Sequence, residues 1–247
     1  MNKQESLALH ASGRDAWNAW AKTIAAELPR LVDAGLWRWE SHLGDDTFTN
    51  PHAQRWIRES AADFSCHAFG ENPDFRGFVF PGFVGFVGAK FPAGARFNGV
   101  RALRSACFNY AEFGALADFT QAELFSEGAF SRTRFMAEAR FERCRFSPAE
   151  FEPQMDGHAD FSDATFKGLA NFRGAKVAST TELVRTQFED RALFDDAVFG
   201  GLFFLYDTKF EGEVSFHDTA LSPETDFAAA SFAAPPTGLR GNWRRKP

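Results

Sequence analysis

The groups in this chain best able to do chemistry are carboxylates. Residues 147–232 carry 16 acids against 6 bases, whereas residues 71–146 carry 8 acids against 10 bases, so one half of the central region is strongly anionic. Such a density can bind a cation, supply a general acid and base, or present a negative field to a cationic partner. The first two uses need companion groups at set spacings. Six histidines (His10, His42, His52, His67, His158, His217) share no metal-ligand spacing, and Cys66, Cys107 and Cys144 form neither a metal nor a disulfide pattern. Asp156-Gly157-His158-Ala159-Asp160 is a loop-like run whose histidine has no nucleophile beside it, and Gly82, Gly85 and Gly88 have the spacing of turns rather than of a phosphate-binding loop. No catalytic, cofactor or metal site is expected, which leaves a field turned toward another protein.

The elements that position these acids are repeats. Phe64, Phe75, Phe86, Phe97, Phe108, Phe119, Phe130 and Phe141 recur every eleven residues, and a second apolar series (Phe69, Phe80, Phe91 and onward) falls five residues after each. A further pair of series runs from Phe161 to Phe227 and from Phe166 to Phe232. Of 31 such centres 25 are Phe, so one geometry is being filled throughout. Two residues before each centre stands a small residue, commonly Ala or Thr, and the positions on either side are mostly polar. Two inward residues alternating with outward ones describe a strand, and no 3.6-residue period is present.

This pattern resembles the pentapeptide-repeat proteins, in their Phe-rich A-x-F-x-x-A-x-F form, over residues 62–232. The resemblance implies an all-β solenoid, a right-handed quadrilateral β-helix with one pentapeptide per side. Steps of 5, 6, 5 and 6 then make a 22-residue coil, with coils about 4.8 Å apart. Phe141, Phe146, Phe151 and Phe161 read as one 20-residue coil, with a bulge where Asp156 replaces an apolar centre. In that register Arg143, Asp163, Arg185 and Asp207 form one column of alternating charge, and Arg96, Asp118, Arg140 and Asp160 another. Glu189 beneath Glu211 and Asp196 beneath Asp218 remain as like-charge pairs, which are destabilising unless a partner uses them. With Asp190, Asp195 and Glu213 they form the candidate partner-facing surface. Some members of the family bind type II topoisomerases by imitating DNA. The resemblance therefore implies an acidic mimic acting on an enzyme such as gyrase as the alternative to a general interaction scaffold.

Residues 1–61 read as a helical N-terminal cap. An amphipathic helix is expected over 12–34, with a capping box at Ser12-Gly13-Arg14-Asp15, Trp17, Trp20, Ala21 and Ile24 on its apolar face, and a kink at Pro29. A second is expected from Asn50 with Pro51 in its first turn. Phe83 and Val87 fall off the inward sites. With Trp17, Trp20 and Ile24 they form a candidate cap or dimer surface, for which the chain's own helix is the favoured partner and a second subunit the next. Leu202-Phe203-Phe204-Leu205-Tyr206 shows the same apolar excess, with either Phe204 or Leu205 as its centre. Pro235-Pro236 ends the repeat, and residues 233–247 form a tail whose basic end, Trp243-Arg244-Arg245-Lys246, is too short to argue direct nucleic-acid binding. No 18-residue apolar run and no signal-like opening are present, so a cytoplasmic protein without a membrane partner is expected.

Overall fold

The structure, a computed structural model, describes residues 1–37, 39–42, 45–48, 50–151 and 156–239, with the backbone alone for 39–42 and 45–48. From Ala62 onward, strands of two or three residues are joined by tight corners, and each pairs in parallel with its equivalent one coil away. Four sheets result, two of seven strands and two of six, each forming one side of a solenoid. Side one runs from Ala62–Asp63 to Phe203–Phe204 and side two from Lys90–Phe91 to Ser231–Phe232. Side three runs from Ala95–Arg96 to Val214–Ser215 and side four from Val79–Phe80 to Val198–Phe199.

The alternating step has a backbone cause. At the five-residue corners, after sides one and three, the central residue's carbonyl accepts from the N–H three residues on, as Phe119 does from Ala122 at 2.9 Å. The residue before that donor has positive φ, 57° at Gln121 and 62° at Gly99, which makes a type II turn. The corners after sides two and four take one residue more and mostly stay out of that region, Gly94 (81°) and Ser126 (66°) being departures.

Inside, the Phe columns of sides two and three are continuous, from Phe69 to Phe232 and from Phe75 to Phe216. Phe97 lies over Phe119 with ring centroids 4.8 Å apart and planes 2° from parallel, while Phe108 meets Phe97 edge-on at 5.2 Å and 87°. Offset stacks along each column and edge contacts between columns are the two arrangements that aromatic quadrupoles favour. Thr enters the small inward sites without leaving its hydroxyl bare: Thr133, Thr186 and Thr208 donate to the carbonyls of Phe108, Phe161 and Leu183 at 2.7, 2.7 and 2.6 Å.

The 20-residue coil is not formed. Ala139 pairs with Ala170 and Phe135 with Phe166, 31 residues on, where 22 is the rule elsewhere. With no apolar side chain at Asp156 to enter the core, the chain leaves the coil after Ser147 and rejoins it at His158–Asp160, which pairs with Glu127–Ala129. Phe151 is therefore not a centre. The charge columns shift accordingly: Arg132 and Arg185 flank Asp163, and Arg140 lies between Asp118 and Asn171. Leu205, buried, is the centre in the Leu202–Tyr206 run, and Phe204 points outward.

The N-terminal end is covered. Four helices, α1 (Lys3–Ala11), α2 (Arg14–Ala25), α3 (Glu27–Asp33) and α4 (Pro51–Ser60), precede the solenoid, with an antiparallel pair, Trp39–His42 and Asp45–Phe48, between the last two. The capping box belongs to Asn2 and Glu5 of the unexpected α1, whereas Gly13 starts α2 with no side-chain cap. The helix expected over 12–34 breaks at Ala26, and Pro29 sits in the first turn of α3, where a missing N–H costs no bond. Asn50 caps α4 by accepting from the His52 N–H. Helix α1 seals the first coil: Ser6 Oγ accepts from the Asp63 N–H at 3.0 Å, Lys3 Nζ donates to the Ser65 carbonyl, and the His10 ring lies 4.4 Å from that of Phe75. At the other end pairing continues past Pro235 and Pro236, since Thr237 bridges Ser215. The basic run Trp243–Lys246 lies outside the described residues.

Candidate interaction surfaces

The seven predicted acids divide between the two edges of side three. Glu189, Asp190, Glu211 and Glu213 stand at the corner with side two, and Asp196 and Asp218 at the corner with side four; all six are exposed. Neutralising cations are interspersed, with Lys167 Nζ 3.8 Å from Glu189 and Arg191 beside Asp190. Asp195 is different in kind. It is 9% exposed, and it accepts from Arg173 Nη2 at 3.0 Å, from the His217 N–H at 3.0 Å and from the Ser215 hydroxyl. Burial raises its pKa, but the Ser215, His217 and Arg173 donors together hold it below the ordinary carboxylate value. Asp195 thus ties adjacent coils together through bonds within the chain.

Asp195, Ser215 and His217 are also the nearest approach to a hydrolytic triad. The order is wrong for one: Ser215 lies between the other two, donating to Asp195 while its Oγ is 2.8 Å from His217 Nδ1. Its proton is directed at the carboxylate, whereas a nucleophile needs the imidazole as acceptor. Among the described residues no group of three or more His, Cys, Asp and Glu is arranged to hold a metal, and no helix is long and apolar enough to cross a membrane. Cys144 is buried at a small inward site, and loss of solvent pushes its thiol pKa up.

Of the second predicted surface, Trp17 is fully buried on the first coils. It donates to the Val79 carbonyl at 2.9 Å and packs on Phe64, Phe78 and Phe80. Trp20, Ile24 and Val87 are half-buried, and Phe83 is exposed. Side one also carries a titratable cluster. Glu127 pairs along the strands with His158, Asp160 follows, and Glu182 Oε1 lies 3.8 Å from His158 Nε2. Burial pushes the Glu127 pKa up, and Asp160 and Glu182 add to the shift while His158 opposes it. Toward the C-terminal end of the same side, Leu202, Phe204 (42%) and Tyr206 (62%) form an exposed apolar stripe that Val198 continues around the Gly200-Gly201 corner.

Sequence reasoning missed a cleft on side four. Leu103 and Phe125 occupy equivalent outward positions, both half-buried, and with Pro81 they floor a cavity of ≈ 300 Å³. Their excess apolar character was visible, but what covers them comes from remote parts of the chain: Leu28, Pro29 and Trp56 of the cap, and Phe151 beyond the last coil strand.

No protein-family model, no curated protein and no solved structure matches this chain.

Proposed function

We propose that the chain is a non-enzymatic interaction scaffold of the pentapeptide-repeat type, acting in the cytoplasm on another protein through its lateral sides. The observation that supports this most is the stripe of Val198, Leu202, Phe204 and Tyr206, apolar side chains held outward by a rod whose inward sites are already filled. Acids border it, with Glu182 one coil away from Phe204 and Asp207 beside Tyr206, so the matching partner surface is apolar with a basic rim. Because the rod is ordered before binding, association avoids most of the ordering cost. A photo-crosslinking residue placed at 204 should capture one discrete protein in cells, and the same residue at exposed position 143 should not. Equal labelling from both positions would remove the assignment.

The stacked like charges Glu189–Glu211 and Asp196–Asp218 favour one second reading, an acidic DNA mimic directed at a type II topoisomerase. Inhibition of gyrase supercoiling that is lost when these four residues become Lys would support it. No inhibition at large protein excess would eliminate it for gyrase.

A further inference from the structure

The cleft on side four is where the chain's departures from its repeat converge. The helical cap precedes the coils and the 31-residue step interrupts them, yet both abut one pair of outward residues, Leu103 and Phe125. In repeat architectures, segments inserted into an otherwise uniform stack commonly build the binding face. The cavity, ≈ 300 Å³, lies at the lower end of the range for small-molecule sites. Its walls are mainly apolar and aromatic: Leu28, Pro29, Trp56, Leu103, Phe125 and Phe151.

Two guanidinium groups give the cleft a chemical direction. Arg101 stands on the coil wall and commits its Nε–H to Glu123 at 2.8 Å, one of five donors that a guanidinium carries. Arg104, also on the wall, lies over the rings of Trp37 and Trp56 at 5.4 and 6.0 Å, which holds its charge beside the aromatic surface. Glu150 is the acid at the opposite lip. Cationic ligands would meet both guanidinium groups, whereas a flat apolar body with an acidic group fits the aromatic walls and the donors together.

We infer that this cleft binds a small aromatic organic acid, its ring between Leu103, Phe125 and Phe151 and its anionic group at Arg101. The site is separate from the lateral stripe around Phe204 and does not depend on the scaffold reading.

The test uses two fluorescent probes on the full chain: 1-anilinonaphthalene-8-sulfonate, which is an aromatic anion, and the uncharged N-phenyl-1-naphthylamine. One sulfonate probe should bind per chain. Arg101→Met should weaken the sulfonate about tenfold or more and leave the neutral probe unchanged. Leu103→Trp, which fills the cleft, should abolish both, with thermal unfolding run alongside to show that the variant is folded. Should that variant not fold, Ala149→Glu serves the same purpose from the opposite wall. Phe204→Ser should change neither. Binding that survives a folded cleft-filling variant, that is lost in Phe204→Ser, or that is indifferent to Arg101 overturns the inference, as does the absence of any binding at millimolar probe.

Discussion

Phe141 lies over Phe172 with ring centroids 4.9 Å apart and planes 5° from parallel, the geometry that Phe119 makes with Phe141 although the chain between is nine residues longer. The core therefore does not register the longer step. Removing residues 148–156 would join Ser147 to Gly157 and restore a six-residue interval between Phe146 and Phe161. This deletion variant should keep the wild-type circular dichroism spectrum and a cooperative melt, because no column centre is lost. It should also lose the cleft, since Ala149, Glu150 and Phe151 leave with it. Loss of cooperative unfolding would show that the longer step is needed to close the coil.

What was legible in the sequence follows from distance along the chain. The alternation of five and six residues is local, so the sides, the columns and most vertical neighbours could be derived from it. Phe151 follows Phe146 by five residues where the alternation requires six, a departure that reads equally well as a plain coil of five-residue steps until the pairing of Phe146 with Val177 shows that the coil has already been left. Helix α1 was illegible for another reason. Its buried residue is Ser6, which seals a backbone donor, and its segment KQESLALHA lacks a clear apolar stripe. Asp195 looked like its acidic neighbours although the 22-residue spacing already puts Arg173 beneath it, whereas Ser215, off that spacing by two residues, reaches it only in the folded chain. The cleft needed three segments remote in sequence.

Position along the rod should set the cost of core truncation. Phe119 is fully buried, stacks on Phe97 and Phe141 and meets Phe108, Phe113 and Phe130 edge-on, whereas Phe232, at the last coil, is only half-buried, and among the described residues it stacks on Phe210 and meets Phe227 at a tilt. Phe119→Ala should cost about 3–5 kcal/mol in chemical denaturation, the range for a fully buried Phe. Phe232→Ala should cost well under half as much, as expected where each coil is stabilised by its neighbours. Equal costs would contradict the nearest-neighbour picture.

Glu127 should make stability pH-dependent in an unusual direction. Its pKa is raised above 4.5, mainly by burial, with Asp160 and Glu182 facing it and His158 opposing them. Above that raised value the folded state holds an ionised group that it disfavours. Below 4.5 the group is protonated in both states and the penalty disappears. Glu127→Gln should therefore raise the melting temperature at pH 7 by about 2 °C, a small effect because the group is half-solvated. The gain should vanish at pH 4. An equal gain at both values would assign it to packing instead.

Asp195 should show the opposite sign. Its pKa is held below 3.8, so its stabilising contribution is complete above that value and is lost as pH falls through the depressed one. Asp195→Asn keeps the shape but weakens the bonds from Arg173, Ser215 and His217, and should cost about 1–3 kcal/mol at pH 7 in urea denaturation. The difference from wild type should shrink in acid below 3.8. Retained gyrase inhibition in this variant, if inhibition is found at all, would fit a carboxylate that supports the rod without touching the partner.

Gln121 and Gly99 occupy the same corner one coil apart, with φ of 57° and 62°. An L-residue there crowds its Cβ against the following carbonyl, a strain of about 1–2 kcal/mol that glycine does not carry. Glycine also loses more freedom on folding, which offsets part of that gain. Gln121→Gly should thus stabilise by about 0.5–1 kcal/mol, and Gly99→Gln should destabilise by a similar amount. Gln121 is exposed, and a Cβ built at Gly99 meets nothing within 4 Å, so new contacts cannot account for either change. If both substitutions are neutral in urea denaturation, the type II corner is not strained by its side chain, and the frequent Arg and Asp at these corners are held there at no conformational cost.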